Sequence, residues 1–224
     1  MPIPPLGLVL DLDGTLVDSL PDIQISLCHA LAQLGRRGVD LHEARSMLGD
    51  GAEVLAARAL ALTGGPFPGH TPQRLLAIFL DHYERHSADT TRCFEGVEQT
   101  LEVLAGQGHR LGICTNKPHQ ATVDLLRVLG LTPRLHAVLG GDLLPVRKPD
   151  PEHLWATVRA MGARGLPAVM VGDSEPDAAV AERAGVPFVL AAYGYARAPL
   201  DQLRADAVIQ RFDQLPDALE RLLG

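Results

Sequence analysis

The sequence predicts an α/β protein: a doubly wound, mainly parallel, Rossmann-like sheet with a small inserted α-helical cap domain. Two observations lead to this prediction. After Gly96, helical patterns alternate with short apolar strands along the rest of the chain, as in the βαβ units of a parallel sheet. Between residues 40 and 86 the apolar spacing is helical throughout, which places this stretch outside the sheet.

The first strand is predicted from an apolar run that starts at Leu6 and ends at Asp11 and Asp13. Such a run is typical of a strand that is buried on both faces of a parallel sheet. Gly14 then marks the turn at the carboxyl end of the strand. Because ligands bind at that end of open α/β sheets, the two carboxylates are the first candidate site residues.

This first strand has to join the sheet of the second half, so the core is predicted to be discontinuous. Residues 1–18 and 93–224 are expected to form the α/β core, and residues 19–92 the helical cap. Ser19 is expected to cap the first cap helix, with Pro21 in its first turn. The cap helices are predicted at residues 20–34, 41–48, 51–62 and 73–86.

The remaining elements alternate in the order expected for βαβ units. Helices are predicted at residues 97–107, 119–129, 151–161, 176–184 and 215–223. Strands are predicted at residues 110–114, 136–139, 168–171, 188–191 and 207–209.

Composition narrows the class of protein. The chain has 224 residues and a net charge of -7, which argues against a nucleic-acid or anionic-membrane surface because both need clustered positive charge. Its three cysteines show no Cys-x-x-Cys spacing, so no disulfide framework or zinc ribbon is expected. The start of the chain does not resemble a signal peptide, and no apolar stretch is long enough to cross a bilayer. We therefore expect a cytoplasmic protein that binds neither nucleic acid nor a membrane. Its partner is expected to be a small molecule, and its state a monomer or a homodimer.

Four polar motifs follow predicted strands, and they contain the only two lysines among the 20 basic residues of the chain. Each motif alone is common, but the carboxyl ends of parallel strands meet at one edge of a sheet, so four motifs indicate one site. Paired carboxylates recruit a divalent cation because hard cations prefer oxygen ligands. In chain order the motifs supply Asp11 and Asp13, Thr115, Lys148, and Asp173 with Asp177.

These motifs resemble those of the haloacid dehalogenase superfamily, and the resemblance spans nearly the whole chain. It implies that Asp11 is the nucleophile that forms an aspartyl-phosphate, and that Asp13 is the general acid and base. It also implies that Mg²⁺ is held by Asp11, by the backbone carbonyl of Asp13 and by Asp173. Thr115 and Lys148 would then contact the phosphoryl group.

Asp13 narrows the expected reaction, because dehalogenases and phosphonatases of this superfamily lack an aspartate at that position. Phosphate-ester chemistry is therefore expected, either as hydrolysis or as the cycle of a sugar phosphomutase; a non-catalytic interaction protein is the third alternative. The cap sequence from Leu41 to Leu60 and the Tyr193-Gly194-Tyr195 segment are similar to those of phosphoglycolate phosphatases. This similarity implies a small phosphorylated metabolite as the substrate, 2-phosphoglycolate in the first place, with another small metabolite or a sugar phosphate as the alternative.

Five residues are expected to bind the substrate: Arg45, Gly49 and Gly51 in the cap, and Asn116 and Lys117 beside the phosphate-binding threonine. Arg45 would pair with a small carboxylate, and the Gly49–Gly51 turn would point backbone N–H groups at it. Alternatively, the two glycines only join cap helices. Lys117 is either a binding residue or a solvated charge on a loop.

The last motif leaves two questions open. Asp177 would orient Lys148 or metal-bound water, or it would only place a carboxylate at the N-terminus of its helix. Glu175 and Pro176 stand where the superfamily usually has an Arg-Asn pair, so this part of the site departs from the family pattern.

Overall fold

The computed structural model describes residues 3–223. Met1, Pro2 and Gly224 lie outside the described part, so the first two residues of the segment that does not resemble a signal peptide are not described. The strands are β1 (Gly7–Leu10), β2 (Val17–Asp18), β3 (Arg92–Cys93), β4 (Arg110–Cys114), β5 (Ala137–Leu139), β6 (Ala168–Gly172), β7 (Phe188–Ala191) and β8 (Ala207–Ile209). Six of them form a parallel sheet in the order β5-β4-β1-β6-β7-β8. The predicted α/β class is thereby confirmed.

The α-helices, in chain order, are α1 (Leu20–Gln33), α2 (Leu41–Arg45), α3 (Ala52–Leu62), α4 (Pro72–His86), α5 (Val97–Gly106), α6 (His119–Val128), α7 (Pro151–Ala160), α8 (Glu175–Ala184) and α9 (Leu215–Leu223). Helices α6 to α9 each follow a strand of the sheet, and α5 precedes β4, as predicted for βαβ units. Among the described helices, none combines the length and the apolar character needed to cross a membrane.

The central strand shows how the sheet holds its two helical layers. Successive side chains of a strand point to opposite faces. Leu8 and Leu10 therefore pack into the core cluster that contains apolar residues of α5, α6 and α9. Val9, between them, packs into the cluster that contains apolar residues of α7 and α8. Burial on both faces explains why the first strand is continuously apolar.

Helices α1 to α4, called the helical insertion from here on, have an apolar cluster of their own. Its buried members come mainly from three helices and include Leu27 and Leu31 of α1, Leu60 of α3, and Leu75, Phe79 and Tyr83 of α4. The insertion leaves and re-enters the core through an antiparallel ribbon in which Val17 pairs with Cys93. The predicted boundaries of the cap, residues 19–92, stay a prediction.

Two local features differ from the sequence prediction. The helix predicted at residues 41–48 is shorter and ends at Arg45. Four residues later, Gly49 has a φ of 102°, a conformation that no α-helix contains. The ribbon of β2 and β3 was not predicted, because two residues in each strand are too few to show a periodic pattern.

Asp22 of α1 clamps the two ends of the insertion together. Its buried carboxylate accepts hydrogen bonds from the backbone N–H and the hydroxyl of both Thr90 and Thr91. Burial opposes ionisation, but these donors keep the pKa of the Asp22 carboxyl below its ordinary value. The segment that returns to the core is therefore fixed to the helix that leaves it.

We expect Asp22→Ala to lower the free energy of unfolding by about 3 kcal/mol, because the N–H groups of Thr90 and Thr91 lose a charged acceptor. The matched control is Asp81→Ala, which removes an exposed carboxylate paired with Arg85 at 2.6 Å and should cost less than about 0.5 kcal/mol. Urea denaturation of the three proteins measures both effects. Equal stabilities of the two variants would contradict the clamp.

Candidate active site

Three parallel strands bring the predicted site residues to one edge of the sheet. Asp11 follows β1, Thr115 follows β4 and Asp173 follows β6, and β1 lies between the other two strands. The backbone N–H of Asp11 donates to the carbonyl of Val171 at 2.9 Å, which extends the β1–β6 ladder one residue beyond the strand. The ladder therefore positions the Asp11 side chain directly against the end of β6.

Lys148 lies at the centre of these residues and is 3% exposed. Its Nζ is 2.6 Å from Asp177 Oδ1, to which it donates a hydrogen bond, and 2.8 Å from Asp11 Oδ1. The contact with Asp11 is a buried ion pair between the ammonium and the carboxylate. One ammonium thus serves two carboxylates.

Asp11, Asp173 and Asp177 form a buried acidic cluster in which each residue offers an oxygen within 4.8 Å of the others. Burial and the charge of Asp177 raise the pKa of Asp11 to about 7, although Lys148 opposes this rise. Burial, Asp177 and Asp11 likewise raise the pKa of Asp173 well above its ordinary value. Three carboxylates around one ammonium are a hard, oxygen-rich donor set with excess negative charge, and a divalent cation fits it.

Asp173 is fixed by two donors from the loops around it. Thr15 Oγ1 donates to its Oδ1 at 2.7 Å, and the backbone N–H of Tyr195 donates to its Oδ2 at 2.6 Å. A Cβ atom at Gly194 would lie 2.5 Å from that same Oδ2, so the loop approaches the carboxylate only because this residue is glycine.

The structure shows two contacts of Asp177 that the sequence left as alternatives. Its Oδ1 accepts from Lys148, as described above, which agrees with an orienting role for that lysine. Its Oδ2 accepts from the backbone N–H of Ser174 at 3.1 Å and from the Ser174 hydroxyl at 2.6 Å, at the N-terminus of α8. Asp177 therefore links the start of α8 to the ammonium.

Asp13 faces the helical insertion rather than the acidic cluster. Lys117 Nζ lies 3.0 and 3.2 Å from its two oxygens and also donates to the hydroxyl of Tyr83 on α4. The side chain of Lys117 is 3% exposed, so it is a buried cation and not a solvated loop charge. Burial opposes that charge, but Asp13 outweighs the effect and holds the pKa of Lys117 above its ordinary value.

Ser19 is the N-cap residue of α1, as predicted, but its side chain makes no capping hydrogen bond; its Oγ donates instead to Asp13 Oδ1 at 2.6 Å. The hydroxyl of Tyr195 acts in its place: it accepts from the backbone N–H groups of Ser19 at 2.9 Å and Leu20 at 3.1 Å, and donates to Asp18 Oδ1 at 2.6 Å. The serine thus contacts the candidate site, and a distant tyrosine satisfies the helix end.

The predicted substrate-binding residues occupy three different positions. Asn116 Nδ2 donates to the carbonyls of Gly49 and Lys148, both at 3.0 Å, and so ties the insertion to the core. Gly49 and Gly51 line the cavity above the acidic cluster. Arg45 does not line it; its guanidinium donates to the carbonyl of Gly194 at 2.6 Å.

This cavity lies between the sheet edge and the insertion, with a volume of about 70 Å³. The core contributes polar residues, and the insertion contributes mainly apolar ones. From the core, the lining includes Asp11, Asp13, Thr115, Asn116, Lys117 and Asp173; from the insertion, it includes Ile23, Leu48, Ala52, Leu55, Phe79 and Tyr83.

Comparison with known proteins assigns the family. The family model of haloacid dehalogenase-like hydrolases matches residues 8–191 of this chain. The chain belongs to this family. The resemblance drawn from its four motifs is thereby confirmed.

Relatives of this haloacid dehalogenase-like hydrolase match it over nearly its full length. The phosphoglycolate phosphatase of Cereibacter sphaeroides is 42% identical over 218 residues, which cover 97% of this chain and 99% of the relative. That of Caulobacter vibrioides is 40% identical over 216 residues, with 96% and 91% covered. The crystal structure of a predicted phosphoglycolate phosphatase from Haemophilus somnus has a TM-score of 0.89 and 29% identity, covering 95% of this chain and 97% of that one. The chain is therefore a phosphatase of the haloacid dehalogenase-like hydrolase family.

Glu175, in the part of the last motif that departs from the family pattern, makes contacts that connect the core with the insertion. Glu175 Oε1 accepts from the backbone N–H of Ala198 at 2.8 Å and lies 3.4 Å from Arg197 Nε. Arg197 in turn pairs with Asp50 of the insertion at 2.6 Å. Glu175 thus anchors an arginine that ties the insertion to the core.

Sequence reasoning missed several residues that contact the site. Tyr83 and Tyr195 lie on a helix and a loop whose patterns indicate only packing, and Thr15 directly follows a recognised motif without a signal of its own. Ser19 carried a signal, but a serine before a helix indicates a cap first.

His153 contacts the backbone of Lys148 in the core, and the pH dependence of stability tests whether it is held there in its neutral form. Its Nδ1 accepts the Lys148 backbone N–H at 3.2 Å, and burial together with the Lys148 charge lowers its pKa from 6.5 to about 4. The unfolded chain therefore binds a proton near pH 6.5, whereas the folded protein binds it only near pH 4. The stabilisation is complete above pH 6.5 and decreases as the pH falls towards 4.

We expect wild-type protein to lose about 3 kcal/mol more unfolding free energy between pH 7 and pH 4 than His153→Asn, whose amide oxygen can accept the same N–H. Urea titrations of both proteins at several pH values measure the difference. Parallel pH profiles would show that His153 is not held in its neutral form.

Proposed function

We propose that this chain is a Mg²⁺-dependent phosphomonoester hydrolase that works through an aspartyl-phosphate at Asp11 and releases phosphate from 2-phosphoglycolate. The observation that supports it best is the buried cluster of Asp11, Asp173 and Asp177 around Lys148, beside Thr115 and below the helical insertion. Negative side chains repel a phosphate dianion. This donor set can therefore bind a phosphate ester only when additional positive charge is present.

In the first step, an oxygen of Asp11 attacks phosphorus, and the bond from phosphorus to the ester oxygen breaks. Lys148, 2.8 Å from Asp11, favours the ionised nucleophile and offers charge to the phosphoryl oxygens. Thr115 lines the same cavity and would donate its hydroxyl and backbone N–H to those oxygens. The product of this step is a phosphorylated Asp11 and the leaving alcohol.

Asp13 would move the protons of both steps. It lines the cavity beside Asp11, and its carboxyl would protonate the departing alkoxide oxygen. In the second step the Asp13 carboxylate would take a proton from a water molecule, whose oxygen attacks phosphorus while the bond to Asp11 breaks. Inorganic phosphate leaves, and Asp11 and Asp13 return to their starting forms.

Asp11, Asp173 and, by family resemblance, the backbone carbonyl of Asp13 would hold Mg²⁺. When bound, the cation supplies the positive charge that neutralises phosphoryl oxygens. Lys148 and the cation would together balance the three carboxylates, which also keeps Asp11 ionised at neutral pH. Asp177 would keep Lys148 in place rather than bind the metal, because its two oxygens already accept from Lys148 and from Ser174.

A small substrate is favoured by the 70 Å³ cavity and by the phosphoglycolate phosphatases that match the chain over nearly its full length. We keep the cytoplasm as the proposed location and a monomer or a homodimer as the proposed state. Neither nucleic acid nor membrane is proposed as a partner, given the net charge of -7.

We expect Asp11→Asn to lower kcat for 2-phosphoglycolate by about 10³-fold or more, because the amide cannot act as the nucleophile. Asp124→Asn, which changes a half-exposed carboxylate paired with Arg127, is the matched control and should keep wild-type kcat. Release of inorganic phosphate with Mg²⁺ present is the measurement. Wild-type turnover by Asp11→Asn would refute the assignment. If the wild-type protein is instead given a sugar phosphate and isomerises it without phosphate release, it is a mutase.

We expect Mg²⁺ to stabilise the folded protein, because the cation binds the folded acidic cluster and not the unfolded chain. At about 100 times its Kd it should add about 2.7 kcal/mol, which corresponds to a Tm rise of about 5–10 °C. Asp173→Asn should lose most of this rise, whereas Glu220→Gln, an exposed change on α9, should keep it. Calorimetric melts with and without Mg²⁺ test this, and an unchanged wild-type Tm would contradict a metal site here.

A further inference from the structure

Among its described lining residues, the insertion side of the cavity offers no charged side chain, and Gly49 and Gly51 contribute only backbone there. It presents the apolar side chains of Ile23, Leu48, Ala52, Leu55 and Phe79. A carboxylate buried against such a wall costs several kcal/mol unless a donor or a cation pairs with it. Among the described residues that line the cavity, the positively charged one is Lys117.

Lys117 is held at that point by the insertion itself. Its Nζ donates to the hydroxyl of Tyr83, lies 4.5 Å from the centre of the Tyr83 ring and contacts both oxygens of Asp13. The side chain of Tyr83 is itself buried, at 2% exposure. Lys117 also lies two residues after Thr115, whose Oγ1 accepts the Lys117 backbone N–H at 3.3 Å. The ammonium is therefore close to the phosphoryl end of the cavity but faces the insertion.

We propose that Lys117 selects substrates by binding the carboxylate of a small phosphorylated acid, and that Tyr83 is the residue that positions Lys117 for this contact. The inference rests on the proposed function and adds to it the side chain that binds the second anionic group of the substrate. The substrate carboxylate accepts from Lys117 in place of an oxygen of Asp13. Asp13 is then free to face the leaving-group oxygen, so recognition of the correct acid and release of the acid–base residue are one event.

Arg45 and Lys148, two other cations near the acidic cluster, do not line the cavity. Arg45, the residue expected from sequence to pair with the carboxylate, donates to the carbonyl of Gly194. Lys148 contacts Asp11 and Asp177. These contacts leave Lys117 as the cation placed to meet a second anionic group.

Two inert ligands test the proposal by binding alone. The first, 3-phosphonopropionate, has the length of 2-phosphoglycolate and its carboxylate, with a methylene in place of the ester oxygen. The second, propylphosphonate, has a methyl group in place of the carboxylate. Calorimetric titration of the full chain with Mg²⁺ present gives a ratio of two affinities, from which contacts to the shared phosphonate cancel.

We expect wild-type protein to prefer 3-phosphonopropionate by about 10-fold or more, the usual worth of a hydrogen bond to a charged group. Lys117→Met, which keeps the length of the side chain and removes its charge, should bring the ratio close to one. Tyr83→Phe removes one hydroxyl and should reduce the ratio to an intermediate value. Arg45→Met should keep the wild-type ratio.

Three results would overturn the proposal: a preference that persists in Lys117→Met, a preference that disappears in Arg45→Met, or an equal loss of both ligands in Lys117→Met, which indicates a structural role only. Tyr83→Phe keeps the test decisive if Lys117→Met does not fold, because an unchanged ratio in that variant also refutes the positioning role. Failure of the proposed function is a separate result: the ratios behave as expected, but wild-type protein releases no phosphate from 2-phosphoglycolate.

Discussion

Three buried carboxylates and one buried ammonium meet at the carboxyl edge of the sheet, and the surrounding loops are built around this imbalance of charge. A buried ion is tolerated only when partners replace its lost hydration. Lys148 serves Asp11 and Asp177, while Thr15 and Tyr195 donate to Asp173. Even so, the pKa values of Asp11 and Asp173 are raised, so these contacts do not balance the charge. The protein therefore folds with excess negative charge at this edge of the sheet.

The same edge separates two carboxylates that are close in sequence. The side chain of Asp11 is 9% exposed and belongs to the acidic cluster of the core, whereas that of Asp13 is 20% exposed and contacts Ser19 and Lys117. Gly14 turns the chain just beyond them with a φ of 87°. A nucleophile needs a fixed position and a stable charge, and an acid–base residue needs access to a leaving group and to water. The two environments differ in the way that the proposed roles of Asp11 and Asp13 would require.

The parts that the sequence predicts well depend on local patterns. Apolar runs indicate β1 and β6 because strands buried on both faces need continuous apolar side chains, and the motifs that follow them then meet at one edge. The contacts of Tyr83 with Lys117 and of Tyr195 with Asp18 join residues 34 and 177 positions apart, and neither tyrosine interrupts a pattern. Arg45 shows the converse: its position in the cap indicates an anion site, but in the fold a backbone carbonyl meets its guanidinium.

Tyr195 has a mechanical consequence for the base of the insertion. Its backbone N–H is bonded to Asp173, and its hydroxyl is bonded to Asp18 and to the first N–H groups of α1. A tyrosine side chain has a rigid ring and only two torsion angles, so it acts as a strut of fixed length between the acidic cluster and the base of the insertion. While these bonds hold, the start of α1 keeps a fixed distance from Asp173, so the base of the insertion and the acidic cluster stay in register.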